Sequence, residues 1–123
     1  MRTEAAPAPF QGAPYSQAIV SGGLVFVSGQ LPLRPGESEI AGETIQEQTE
    51  QVLANLGAIL EAAGSGLDQL VKTTVYLADL GDFQEMNEVY AKHVGDGPPA
   101  RATIGVGALP SGARLEIEAI AEL

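Results

Sequence analysis

Arg101 follows the segment Gly97-Pro98-Pro99-Ala100 and opens a small-residue stretch, Ala102-Thr103-Ile104-Gly105-Val106. A prolyl pair fixes its own backbone angles and restricts the residue before each proline. A guanidinium launched from such a pedestal is held still at little further entropic cost. Its planar fork of donors suits a carboxylate gripped by two parallel hydrogen bonds. The simpler alternative is a surface arginine at a strand start. Scarcity weighs against that alternative, because the chain carries 6 Lys and Arg against 16 Asp and Glu.

Glu116 and Glu118 are the second constellation. Period-two alternation places them on one side of the last strand, opposite Leu115, Ile117 and Ala119. Either Glu116 pairs with Lys72 or Arg114, or one of the two carboxylates activates a water beside the acid that Arg101 holds. Other chemistries are thinly supplied. His93 is the single histidine, in the last turn of a helix, where it reads as a solvated or capping residue. Serine triads and histidine-ligated metals both want more. Lys72 could form a Schiff base only if desolvated; mid-strand between Val71 and Thr73 it reads as a snorkelling or edge lysine. Glu43, Glu47 and Glu50 read as a solvated helix face rather than a magnesium site. Neither Gly105-Val106-Gly107 nor Ser21-Gly22-Gly23 completes a phosphate-cradling pattern.

The elements that must position these residues read as α/β in order and as one domain over 1–123. Short strand-like runs at 16–20 and 24–28 flank Ser21-Gly22-Gly23, a hairpin spacing with glycines where positive φ is needed. Residues 31–43, with Pro32, Pro35 and Gly36, predict an exposed loop. Thr44 with Glu47 makes a capping box, Ile45, Val52, Leu53, Leu56, Ile59, Leu60 and Ala63 recur at helical spacing, and Gly64 ends the run. Residues 70–77 are β-branched and aromatic, hence a strand. Asp82 with Glu85 begins a second helix whose face carries Phe83, Met86, Val89, Tyr90 and Val94, with Lys92 and His93 in the last turn. Strands at 102–106 and 115–121 follow. The order β-β-α-β-α-β-β predicts one sheet with two helices packed on one face. Leu24, Val25, Val71, Val75, Ile104 and Ile117 are too many apolar residues for a wholly wet opposite face, so partner subunits are expected to cover it.

Composition narrows the partners. A formal charge of −10 disfavours nucleic acid, whose binding relies on neutralising many phosphates, and disfavours anionic membrane surfaces equally. No apolar run approaches the roughly 18 residues of a membrane span. The first residues read as a loose Ala/Pro lead-in without a secretory apolar block, so a cytoplasmic setting is expected. The chain has 0 cysteines, which removes disulfides, thiolate zinc sites and any cysteine nucleophile.

Across almost the whole chain, short motifs resemble those of the RidA (YjgF/L-PSP) family. They are Ala13-Pro14-Tyr15-Ser16-Gln17-Ala18, Val27-Ser28-Gly29-Gln30-Leu31-Pro32, Gln48-Thr49, Asn55-Leu56, Ala63-Gly64 and Val71-Lys72-Thr73-Thr74-Val75-Tyr76. Asp82-Phe83, Asn87-Glu88-Val89-Tyr90, Pro99-Ala100-Arg101 and Leu115-Glu116-Ile117-Glu118-Ala119-Ile120-Ala121 complete the series in order and spacing. The resemblance implies an α+β, chorismate-mutase-like homotrimer with a ligand cleft at each subunit interface. It also implies hydrolysis of enamines and imines such as 2-aminoacrylate, 2-iminopropanoate and 2-iminobutanoate to 2-oxo acids and ammonia; because an imine is already electrophilic, no metal, cofactor or covalent nucleophile is expected. By position, Arg101 resembles the family's carboxylate-binding arginine and Glu116 the glutamate that helps place the attacking water. Tyr15, Ser28, Gly29 and Asn87 fall in cleft-lining motifs. Thr103 stands where many members carry Cys; a main-chain carbonyl role there survives the change, a thiol role does not. Some members are described as endoribonucleases or translation inhibitors, and a non-catalytic sensor of 2-oxo or 2-imino acids is a further alternative.

Overall fold

Thr44 starts the longest helix, α1 (Ile45–Ala62), in a computed structural model that describes residues 1–123. Its hydroxyl accepts the Glu47 N–H at 3.1 Å, and the Glu47 carboxylate accepts the Thr44 N–H at 3.2 Å. Two otherwise unpaired donors of the first turn are thus satisfied reciprocally. At the far end Gly64 takes φ +88°, and the N–H groups of Gly64 and Ser65 donate to the carbonyls of Glu61 and Leu60. That double closure needs a left-handed residue, which glycine supplies without strain. Between the caps, Ile45, Val52, Leu53, Leu56, Ile59 and Leu60 are buried. Each aliphatic side chain so removed from water contributes about 1.5–3 kcal/mol.

The second helix, α2 (Phe83–Val94), buries Met86, Val89, Tyr90 and Val94 in the same core. Phe83 departs from its expected inward place and is 39% exposed. It is the first residue of the helix, and its ring lies beneath the Arg101 guanidinium instead of in the core.

Five strands complete the expected order: β1 (Ala18–Ser21), β2 (Leu24–Gln30), β3 (Leu70–Leu77), β4 (Ala100–Gly105) and β5 (Leu115–Glu122). They form one mixed sheet in the order β1-β2-β5-β3-β4, antiparallel except for the β3/β4 pair. The β1–β2 turn is Gly22-Gly23, with φ +61° and +79°, the two-residue geometry whose twist matches a hairpin. The last two strands are not a hairpin: β5 inserts between β2 and β3, while β4 lies at the sheet edge.

One face of the sheet is covered by the two helices. Ala18, Val25, Val27, Thr73, Val75, Leu77, Leu115, Ile117, Ala119 and Ala121 are buried beneath them. The other face is open, with Ile19, Phe26 and Ile104 exposed and Ile120 half-buried. The apolar residues first assigned to that face therefore divide. Val25, Val75 and Ile117 belong to the core, whereas Val71, at a register shift beside Leu70, and Ile104 face outward. Residues 31–43 are also less free than their Pro/Gly content suggests. Leu31, Leu33 and Ala41 are buried, and the Asn55 amide donates to the Leu31 and Leu33 carbonyls at 3.1 and 2.8 Å. Residues 34–39 and Glu43 remain exposed.

Candidate functional site

The site begins with an irregularity in β2. Between Val27 and Gln30 the strand advances three residues while β5 advances two, from Ala119 to Ile117. Such a bulge re-aims side chains and brings backbone close to a neighbour. Here it exposes Ser28 and Gly29 to Glu116 of β5. A Cβ added to Gly29 would lie 1.9 Å from Glu116 Oε2, so the carboxylate occupies the space that any other residue would fill. Tyr15, Ser28, Gly29 and Glu116 line a cavity of about 350 Å³ together with Phe10, Ala13, Leu31 and Pro110. The Ser28 hydroxyl donates to the Ser16 carbonyl, and the Phe10 N–H donates to the Tyr15 hydroxyl. Buried Gln17 pins the lead-in, its amide donating to Thr3 O and Pro7 O at 3.0 and 2.7 Å. A larger groove of about 620 Å³ along that lead-in shares Ala13 and Tyr15 but has no carboxylate in its lining.

Glu116 and Glu118 do lie on one side of β5, opposite the buried Leu115, Ile117 and Ala119. Neither of the ion pairs considered for Glu116 forms. Lys72 donates to the Thr74 hydroxyl at 3.0 Å, and Arg114 reaches Asp82 at 3.4 Å and the Glu43 carbonyl at 3.1 Å. Burial, and then the negative charge of Glu118, push the Glu116 carboxyl above the usual carboxylate range. The Tyr76 hydroxyl, on the adjoining strand, donates to Glu118. That bond raises the Tyr76 hydroxyl above its ordinary value.

Arg101 lies elsewhere. It pairs in register with Thr73 of β3, which pairs with Ala119 of β5, so its side chain leaves the helix-covered face of the sheet. Glu116 pairs with Tyr76 and leaves the open face. The guanidinium carbon sits 4.8 Å from the Tyr90 ring centroid and 5.5 Å from that of Phe83. Thr103 is two residues further along β4, and Asn87 falls between Phe83 and Tyr90 on one stripe of α2. Thr103 Oγ1 and Asn87 Oδ1 are both buried with no hydrogen-bond partner. Buried polar atoms are ordinarily paired, and within this chain these two oxygens are not.

A single chain thus brings the seven sequence-predicted residues together as two groups. Tyr15, Ser28, Gly29 and Glu116 share one cavity; Arg101, Thr103 and Asn87 line the β4–α2 edge. The aromatic pair Phe83 and Tyr90 was missed as part of the site. Its spacing with Asn87 was visible, but a stripe of i, i+4 and i+7 reads as core. His93 bonds Glu50 of α1 at 2.7 Å, linking the two helices rather than facing either group. Nowhere do three His, Asp or Glu side chains converge to hold a metal ion. No helix is long and apolar enough to cross a membrane.

Two helices on one face of a five-stranded mixed sheet, with a bulge-lined cavity, define an α+β single-sheet protein, and known proteins share this architecture throughout. The family model described as Endoribonuclease L-PSP matches residues 3–123. The chain belongs to that family, also called RidA or YjgF. It is 51% identical over 121 residues to the chloroplastic Reactive Intermediate Deaminase A of Arabidopsis thaliana, covering 98% of this chain and 64% of that protein. It is 43% identical over 116 residues to a human 2-iminobutanoate/2-iminopropanoate deaminase, covering 94% of this chain and 85% of the relative. The crystal structure of RidA from an Antarctic Psychrobacter superposes with a TM-score of 0.93 at 43% identity, over 99% of this chain and 97% of the other.

Proposed function

We propose that this protein is a hydrolytic deaminase of small enamines and imines derived from amino acids, of the type 2-aminoacrylate, 2-iminopropanoate and 2-iminobutanoate. The observation that carries the reading is that one chain presents both an Arg101 with no ion pair and a Glu116 set against Gly29, whose carboxyl burial raises above the usual range. Relatives named as deaminases of such intermediates support it.

In this reading Arg101 clasps the substrate carboxylate through two N–H donors, converting a loose encounter into a near-attack arrangement. An enamine first takes a proton at its β-carbon and gives one up from nitrogen to become the imine. A water oxygen, polarised by a backbone carbonyl, then bonds to the imine carbon as the C=N π pair takes a proton at nitrogen, while Glu116 takes up the water proton. Return of that proton to nitrogen lets the C–N bond break as the new hydroxyl gives up its own proton and becomes C=O, and the products are a 2-oxo acid and ammonia. An imine is already electrophilic, so the oriented carboxylate, the placed water and one proton carrier suffice. Because the net charge of −10 repels an anionic substrate at long range, local attraction at Arg101 must dominate.

Since Arg101 and Glu116 leave opposite faces of one sheet, the complete cleft is assembled between chains. We propose a homotrimer in which the edge of β4 from one protomer meets the Glu116 cavity of the next. The exposed Ile19, Phe26 and Ile104 support such association. The test is Arg101→Ala in a coupled dehydratase assay: clearance of 2-aminoacrylate should be lost with thermal unfolding unchanged. Retained clearance would refute the role of the arginine.

The name of the matched family favours a second reading, an endoribonuclease. Six basic residues in 123 leave no RNA track on this chain. Tight, salt-sensitive RNA retention on filters at low salt would restore that reading. Ligand binding without turnover would instead favour a 2-oxo acid sensor.

A further inference from the structure

We infer that Phe83 and Tyr90 form an aromatic shelf that acts as a positioning device for Arg101, an inference that rests on reading Arg101 as the carboxylate grip. Arg101 has no ion pair in a chain with sixteen acids. The nearest acid in sequence to the shelf, Asp82, is engaged by Arg114 at 3.4 Å. What holds the guanidinium instead is two rings, at 4.8 and 5.5 Å, both inside the roughly 6 Å over which an aromatic face attracts a cation.

The choice of rings over a carboxylate has a chemical consequence. An acid partner would occupy two N–H donors and neutralise the charge that the substrate needs. A ring face engages the flat side of the guanidinium and leaves the donors at its rim free. The shelf is itself held. The Tyr90 hydroxyl and Thr73 Oγ1 form a buried hydrogen bond of 2.7 Å, and Thr73 is the register partner of Arg101 on β3. Strand pairing, the hydroxyl bond and the stacked guanidinium therefore close a ring of contacts. Phe83 adds the outer lip, and its exposure means that trimming it leaves the core intact.

The test compares Phe83→Leu, Phe83→Tyr and Arg101→Ala, using calorimetric titration with pyruvate and steady-state enamine clearance. Phe83→Leu should weaken pyruvate binding by about 3- to 30-fold and raise KM to match, with kcat little changed. Its melting temperature should stay at the parent value, and Phe83→Tyr should restore affinity. Parent-like pyruvate affinity in Phe83→Leu, or failure of Phe83→Tyr to rescue, overturns the shelf. If Arg101→Ala abolishes binding while Phe83→Leu matches the parent, only the shelf fails. If Arg101→Ala binds pyruvate normally, the carboxylate-grip reading itself falls.

Discussion

Glu116 shows how one residue is given its chemistry by its neighbours. Gly29 lets the carboxylate approach the β2 backbone, the bulge supplies that approach, and Glu118 adds like charge from the same side of β5. A carboxyl whose proton affinity is raised in the folded state stabilises the fold while protonated. That contribution is complete below the unfolded value and is lost as pH rises through the folded one. Ionised Glu116 is therefore a burden near neutrality. Glu116→Gln should melt higher than the parent at pH 7, and the difference should vanish as pH falls below the ordinary carboxylate range. Glu47, fully exposed, runs the other way. Hydrogen bonds from Thr44, then from Glu43, lower its carboxyl, so its contribution is lost as pH falls through that depressed value. Melting curves across pH for Glu116→Gln against the parent isolate the Glu116 contribution, because Glu47 is common to both proteins. A variant no more stable than the parent at pH 7 would mean that Glu116 carries no cost when charged.

Elements differ in how much of them could be read from local residues. The capping box at Thr44, the apolar spacing of α1 and the β-branched run of β3 are local signals, and each formed where the residues placed it. Thr44→Ala should cost about 1 kcal/mol of stability, measurable by denaturant unfolding, because two first-turn donors lose their reciprocal partners. An unchanged unfolding midpoint would show that water replaces the cap without loss. Register is not a local signal. The insertion of β5 between β2 and β3, and so the separation of Arg101 from Glu116 onto opposite faces, depends on pairings between residues far apart in the chain. The anchoring of residues 31–43 is hidden in sequence for the same reason, since its donor is Asn55 on a distant helix. Phe83 was misplaced because helical spacing identifies a stripe but not what each end of that stripe meets.

At the scale of the whole molecule, the proposed function requires two groups of residues that one chain holds apart to meet in one cleft. Intramolecular motion cannot unite them, because moving Glu116 across its own sheet would break the pairing of β5 with both neighbours. Closed association can unite them, with each protomer lending its arginine edge to one neighbour and its glutamate cavity to the other. Subunit mixing tests this directly. Arg101→Ala and Glu116→Ala homo-oligomers should each be inactive in enamine clearance. After co-refolding at equal ratio, an interface pairing the intact arginine of one variant with the intact glutamate of the other is restored in about a quarter of the clefts. Clearance should therefore return to about that fraction of the parent rate if the cleft is shared between chains. If both residues acted from the same chain, no mixture could rebuild a site, and the mixed sample would stay as inactive as its components.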